Sequence, residues 1–157
     1  MKFTWEDLTI RFDHIPTDEL LADWNWKLEG NGTPLLISRF GDLFLKMNDG
    51  KITWLSVISG ELKVVSADAG DFAQKLQDPN IINEWFMVPV FGVLQQNGLK
   101  PKKEQIYAMK KLPVFQGKYE AQNFTLGKLQ DFLKFTGKVH HTAYEVEQSF
   151  DANNWES

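Results

Sequence analysis

The sequence contains no cysteine. Disulfides, thiolate nucleophiles and cysteine metal sites are therefore excluded, and a reducing cytoplasm is the expected setting. Histidine is scarce: His14, His140 and His141 are the 3 present. His141 and Glu145 stand at the spacing of half a zinc site, but no second histidine completes it, so no metal is expected. Long apolar runs are missing as well. The longest, WFMVPVFGVL from Trp85 to Leu94, is about half of what a membrane-spanning helix needs and contains Pro89. The segment MKFTWEDLTI carries acidic residues and no unbroken apolar core, so neither a secretory leader nor a membrane anchor is expected.

A strong charge of one sign is also lacking. With 17 Lys and Arg against 21 Asp and Glu, the net charge is -4. That disfavours direct nucleic-acid binding, which depends on neutralising phosphates, and permits a basic protein partner. Catalytic patterns are missing too: there is no GxSxG elbow and no Ser/His/Asp order, and the adjacent Glu6 and Asp7 define no acid–base pair. A non-catalytic protein without a cofactor is expected.

What the chain does have is material for a core: 43% hydrophobic residues, 6 Trp and 12 Phe in 157 residues. One domain of this length buries roughly 68–70% of its unfolded surface. Leu8 to Phe12 reads as a short strand. A helix capped at Thr17 or Asp18 follows, with Leu20, Leu21, Trp24 and Leu28 on one face. Then comes RFGDLFLKMNDGKITWLSVISGEL, whose Gly41, Gly50 and Gly60 raise the question of a phosphate loop. Such a loop needs closely spaced glycines between a strand and a helix. Here each glycine is followed by another strand-like run, so Leu35–Ser38, Asp42–Met47, Lys51–Val57 and Glu61–Ser66 are expected to form an antiparallel meander turned at its glycines.

Helical periodicity returns around Phe72 and Leu76, and again from Asn80 to Asn97, where Pro89 predicts a kink or a break. A strand is expected around Gln105–Met109, and a last helix from Thr125 to about Val146. The fold class is α+β, a single domain over residues 1–146 with an antiparallel meander packed against helices, the last of them on that sheet. Residues 147–157 are expected to form a polar, mobile tail.

Two surfaces stand out. Lys100, Lys102, Lys103, Lys110 and Lys111 read as a solvated loop flanking a strand edge, although phosphate contact, with Tyr107 stacking a base, is the sharper alternative. Tyr144, Glu145, Glu147, Phe150, Asp151 and Trp155 combine acid with aromatic rings, a surface suited to a basic protein: charge steers and rings anchor. The competing reading of this surface is a solvated helix end. An alternative function, a small-molecule sensor, would need a cavity lined by Trp24, Trp54 or Trp85.

Several stretches resemble one family in their order along the chain. They are DLTIRFDHIPTDELLADWNWKL, RFGDLFLKMNDGKITWLSVISGEL, INEWF, and LPVFQGKYEAQN followed by TGKVHH. They resemble the C-terminal domain of immunity proteins that protect bacteria from their own type VI secretion DNase toxins, over about residues 8 to 146. The resemblance implies an α+β fold, no cofactor, and a cytoplasmic factor that neutralises a cognate toxin, a basic nuclease domain, by steric occlusion. Gly41, Gly50, Gly60 and Gly117 fall within these motifs, where their physical role is turning the chain. The domain that precedes this one in two-domain members is not seen here, and LGKLQDFLKF diverges from the usual family pattern. Binding residues are therefore not carried over.

Overall fold

A computed structural model of the chain describes residues 3–152. The chain opens with α1 (Trp5–Leu8), closed by a capping box in which the Thr4 hydroxyl accepts from the Asp7 amide and Asp7 accepts from the Thr4 amide. Then follow α2 (Thr17–Leu20), a 3-10 turn (Ala22–Trp24) and α3 (Asn25–Leu28). Strands β1 (Thr33–Ile37), β2 (Leu43–Lys46), β3 (Ile52–Leu55) and β4 (Leu62–Ser66) form a four-stranded antiparallel sheet in sequence order, so the expected meander is present. Its register sets Phe44 opposite Trp54 and Leu43 opposite Leu55. Pro34 lies on the edge strand, beside a bulge, where a missing N–H is tolerated.

Three short helices follow: α4 (Ala69–Lys75), capped by Asp68, α5 (Pro79–Trp85), capped by Asp78, and α6 (Val88–Gln96). Then β5 (Gln105–Met109) pairs antiparallel with β6 (Phe124–Lys128), and α7 (Leu129–Ala152) ends the described chain. The fold is α+β, as expected from the sequence.

Element boundaries differ from expectation where tertiary contacts outweigh local pattern. Leu8–Phe12 makes only one bridge, Thr9 to Ser38, because the capping box commits the preceding residues to a helical turn. The helix expected from Thr17 onward is broken at Leu21 and again at Trp24. In an unbroken helix residues two apart face different directions. The breaks let Trp24 and Trp26 stack with ring centroids 5.8 Å apart.

Pro89 ends α5 as anticipated. It has no N–H for the Trp85 carbonyl, and the chain reverses through Met87 at φ 50 before α6 begins. Thr125–Lys128 is strand, not helix: its alternating residues give β5 its partner, with Tyr107 opposite Leu126. At the other end α7 runs past Val146 to Ala152, since EQSFDA contains neither glycine nor proline to stop it.

A single core cluster unites the layers, with Trp24, Phe44, Phe91 and Tyr107 among its buried rings. Arg39 is 5% exposed and faces carbonyls, not carboxylates. Its guanidinium donates to the carbonyls of Glu6, Asp7, Lys102, Lys103 and Gln105, binding the end of α1 to the loop before β5. Helix α7 packs mainly on the Ala22–Trp24 turn and on β5 and β6, not on the meander as expected.

Candidate partner-binding face

The geometry of α7 follows from how its two halves are held. In the first half, Leu129, Phe132, Leu133, Thr136 and His140 are buried on one side. Thr136 donates to the Phe132 carbonyl, so its buried hydroxyl is satisfied. The helix lies so close to the Ala22–Trp24 turn that a Cβ on Gly137 would meet the Asp23 carbonyl oxygen at 2.3 Å. At Gly60, φ +81, a Cβ would come within 2.7 Å of His140 Nδ1. Only a bare backbone admits the ring there. His140 Nε2 donates to the Ile58 carbonyl at 3.0 Å, and burial pushes its pKa below the ordinary value of 6.5.

The second half is less deeply seated. Val139, Ala143, Val146 and Phe150 recur at helical spacing and share one side of α7, half-buried against the core at Val139 and exposed from Val146 onward. Val146 is 63% exposed and Phe150 60%. Beside them the Pro113–Phe115 turn presents Val114 and Phe115, also about half exposed. That turn is fixed: Asn123 donates to the Lys111 and Lys118 carbonyls, and the Gly117 amide donates to Leu112. A hollow of about 330 Å³ runs between turn and helix, lined by Val114, Phe115, Lys138, Val139, Thr142 and Ala143. A second, of about 460 Å³, continues from Thr142 past Glu145, Val146, Ser149 and Phe150. Exposed apolar groups that line contiguous hollows make this face a candidate interaction surface.

The acidic and aromatic residues anticipated from the sequence divide between two sides of this half-helix. Tyr144 and Glu145 join a ladder built on Trp26, whose ring stacks on His141 at 4.8 Å and meets Tyr144 at 5.4 Å. His141 Nε2 lies 3.7 Å from the Glu145 carboxylate. Glu147, two residues past Glu145 and facing another direction, is exposed, and Phe150 belongs to the apolar stripe. The side chain of Asp151 and all of Trp155 lie outside the described residues. After Lys138 the sequence contains no Lys or Arg, and the last turn of α7 has no basic group. Glu145 and Glu147 therefore stand in the C-terminal half of the helix with no nearby basic residue later in the sequence. The periodic series of the last helix, Leu129, Phe132, Leu133 and Thr136 followed by Val139 or His140 and Ala143, is visible in the sequence; its continuation to Val146 as exposed surface is not. Val114 and Phe115 carried no such signal.

The tryptophans of the sensor alternative are not gathered around one cavity. Trp54 and Trp85 lie 6.3 Å apart in a filled stack with Phe44 and Phe72. Trp24 is fully buried elsewhere, against Trp26 and His140. The Trp54 indole donates to Asp42 at 3.2 Å, and the other oxygen of that carboxylate accepts from the Val57 amide. No cation pairs with it among the described residues, and burial pushes its pKa up to about 7.

The lysine cluster is split by the fold. Lys102 and Lys103 border a cleft of about 500 Å³ together with Arg11, His14 and Lys128. Lys110 and Lys111 follow the far end of β5. Among the described residues no group of three His, Cys, Asp or Glu is placed to hold a metal ion, and no helix is long and apolar enough to cross a membrane.

These features define an α+β domain whose exposed helical half pairs an apolar stripe with acidic residues. Residues 66–140, just under half of the chain, match the family described as T6SS immunity protein Tdi1, C-terminal. The match begins at the end of β4, so the RFGDLFLKMNDG block lies outside it. A solved structure, "Crystal structure of Atu4351 from Agrobacterium tumefaciens", shares the fold with a TM-score of 0.59 at 18% identity. The likeness covers 77% of this chain and 63% of that one, so this chain spans less than two thirds of its neighbour's length. No curated protein matches the chain.

Proposed function

We propose that this protein is a cytoplasmic immunity factor that neutralises a toxin delivered by type VI secretion, by binding it and blocking access to its active site. The family match over residues 66–140 carries this reading. Binding without catalysis suits a chain that lacks cysteine and has no metal-ligating cluster among its described residues.

The toxin is a nuclease in this reading. A cleft that holds phosphates is basic, and a partner of net charge -4 with an acidic helix end would be drawn to it. Tyr144, Glu145, Glu147, Phe150, Asp151 and Trp155 are then the contact candidates. Electrostatic steering makes the association rate fall as salt rises.

The test is protection. Each type VI toxin of the source cells is expressed in a sensitive strain, with and without this protein. Rescue from one toxin, with a stable complex of the two purified proteins, is the expected result. Failure to rescue from every toxin overturns the immunity reading, and rescue from a toxin without nuclease activity overturns its nuclease part alone.

A further inference from the structure

Resting on the immunity reading, we propose that the toxin contributes a basic amphipathic helix that lies along the second half of α7. Its apolar side enters the hollows between α7 and the Pro113–Phe115 turn, and its Lys or Arg residues lie over Glu145 and Glu147.

The occupant is argued from shape and charge. From Val139 to Phe150 the stripe extends about 16 Å, three turns of a facing helix. The two hollows share Thr142, so the apolar track is continuous. An open, shallow track buries little of a small ligand, whereas a helix laid in a groove buries one whole face. No Lys or Arg follows Lys138 in the chain, while Glu145 and Glu147 flank the track and give its surroundings a negative charge. A cationic partner relieves that concentration of negative charge. A second copy of this chain, itself of net charge -4, would be repelled over long range.

The experiment has two arms. In the first, a leucine–lysine amphipathic helical peptide and its leucine–glutamate counterpart are titrated by fluorescence anisotropy. The basic peptide is expected to bind, and Val146→Asp or Phe115→Ser to weaken it by roughly tenfold or more, as for a central anchor. The acidic peptide is expected not to bind. Equal binding of both peptides, or binding indifferent to the two substitutions, overturns the proposal.

In the second arm the wild type and Val146→Asp are assayed for protection and for binding of the purified toxin. Val64→Asp, at an exposed position on β4, is the control. Loss in Val146→Asp alone, with unchanged circular dichroism, supports the proposal. Full protection by Val146→Asp overturns this face while leaving the immunity reading intact. A wild type that binds no toxin defeats the immunity reading instead, and the toxin as occupant with it. Sedimentation gives the last outcome: a dimer dissolved by Val146→Asp, with toxin binding unaffected, makes the face a contact between copies and overturns the proposal.

Discussion

The two halves of α7 have different surroundings. From Leu129 to His140 the helix is clamped: Leu133 is 2% exposed, Gly137 touches the Asp23 backbone, and His140 is seated at Ile58. From His141 to Ala152 the same continuous helix carries Val146 and Phe150 mostly exposed, beside the Trp26 ladder and the Pro113–Phe115 turn. Apart from Phe135, which is 41% exposed, the large apolar residues of the first half are buried or half-buried against the core. In the second half Val146 and Phe150 stay mostly exposed, which is why the contact surface is sought there and not in the core.

The difference is broken most severely by truncating matched apolar residues. Leu133→Ala should lower unfolding free energy by about 3 kcal/mol, the usual cost of a leucine-sized cavity. Val146→Ala should stay within about 0.5 kcal/mol, as expected for an exposed site. Urea unfolding of the two variants checks this, and similar losses would dissolve the contrast between the halves.

The seat of His140 predicts a pH dependence. Asp42 holds the Val57 amide, next to the Ile58 carbonyl that receives His140. With its pKa raised from 3.8 to about 7, the folded state keeps a proton on Asp42 that the unfolded state releases. Stability should therefore fall as pH rises between these values, by roughly 2–3 kcal/mol from about pH 5 to about pH 8. His140 acts oppositely: with its folded pKa depressed, its burial costs stability as pH falls below 6.5. Urea midpoints across that range should show Asp42→Asn losing the first slope and keeping the second. An unchanged profile would remove Asp42 from the account.

A smaller loss is expected at the close approach. Gly137→Ala gains helix propensity of about 1 kcal/mol but pushes a methyl group into the Asp23 carbonyl, for a net destabilisation of about 1–2 kcal/mol. Thermal melts that show stabilisation would mean the turn yields easily. The smallest effect belongs to the exposed acids. Glu145→Gln with Glu147→Gln should leave stability unchanged and slow toxin association by about threefold at low salt, with the difference vanishing at high salt. Stopped-flow kinetics at two salt concentrations would detect it.

Much of the fold was legible in local pattern. The four strands of the meander and β5 follow from alternation and turn residues, and Pro89 announced the break between α5 and α6. The failures share a cause. Thr125–Lys128 reads as the start of a helix until β5 is there to pair with it, and the helix from Thr17 reads as continuous until Trp24 and Trp26 must stack together. Of the proposed contact face, the acid and aromatic residues of α7 were visible by composition. Its apolar stripe is visible by spacing as far as Ala143, and Val114 and Phe115 join it only in space.

By itself the sequence determined the α+β class, the meander, the absence of cysteine chemistry and the acidic end of the last helix. These depend on residue type, on periods of two and 3.6, and on turn residues, all of which act over a few positions. Only the tertiary structure decided that α7 packs against the Ala22–Trp24 turn and the second sheet, that Trp24 lies apart from Trp54 and Trp85, and that Val114 and Phe115 flank the exposed helix. Those outcomes depend on contacts between residues far apart in the chain, such as His140 with Ile58, and no local pattern encodes which distant surface a helix will meet.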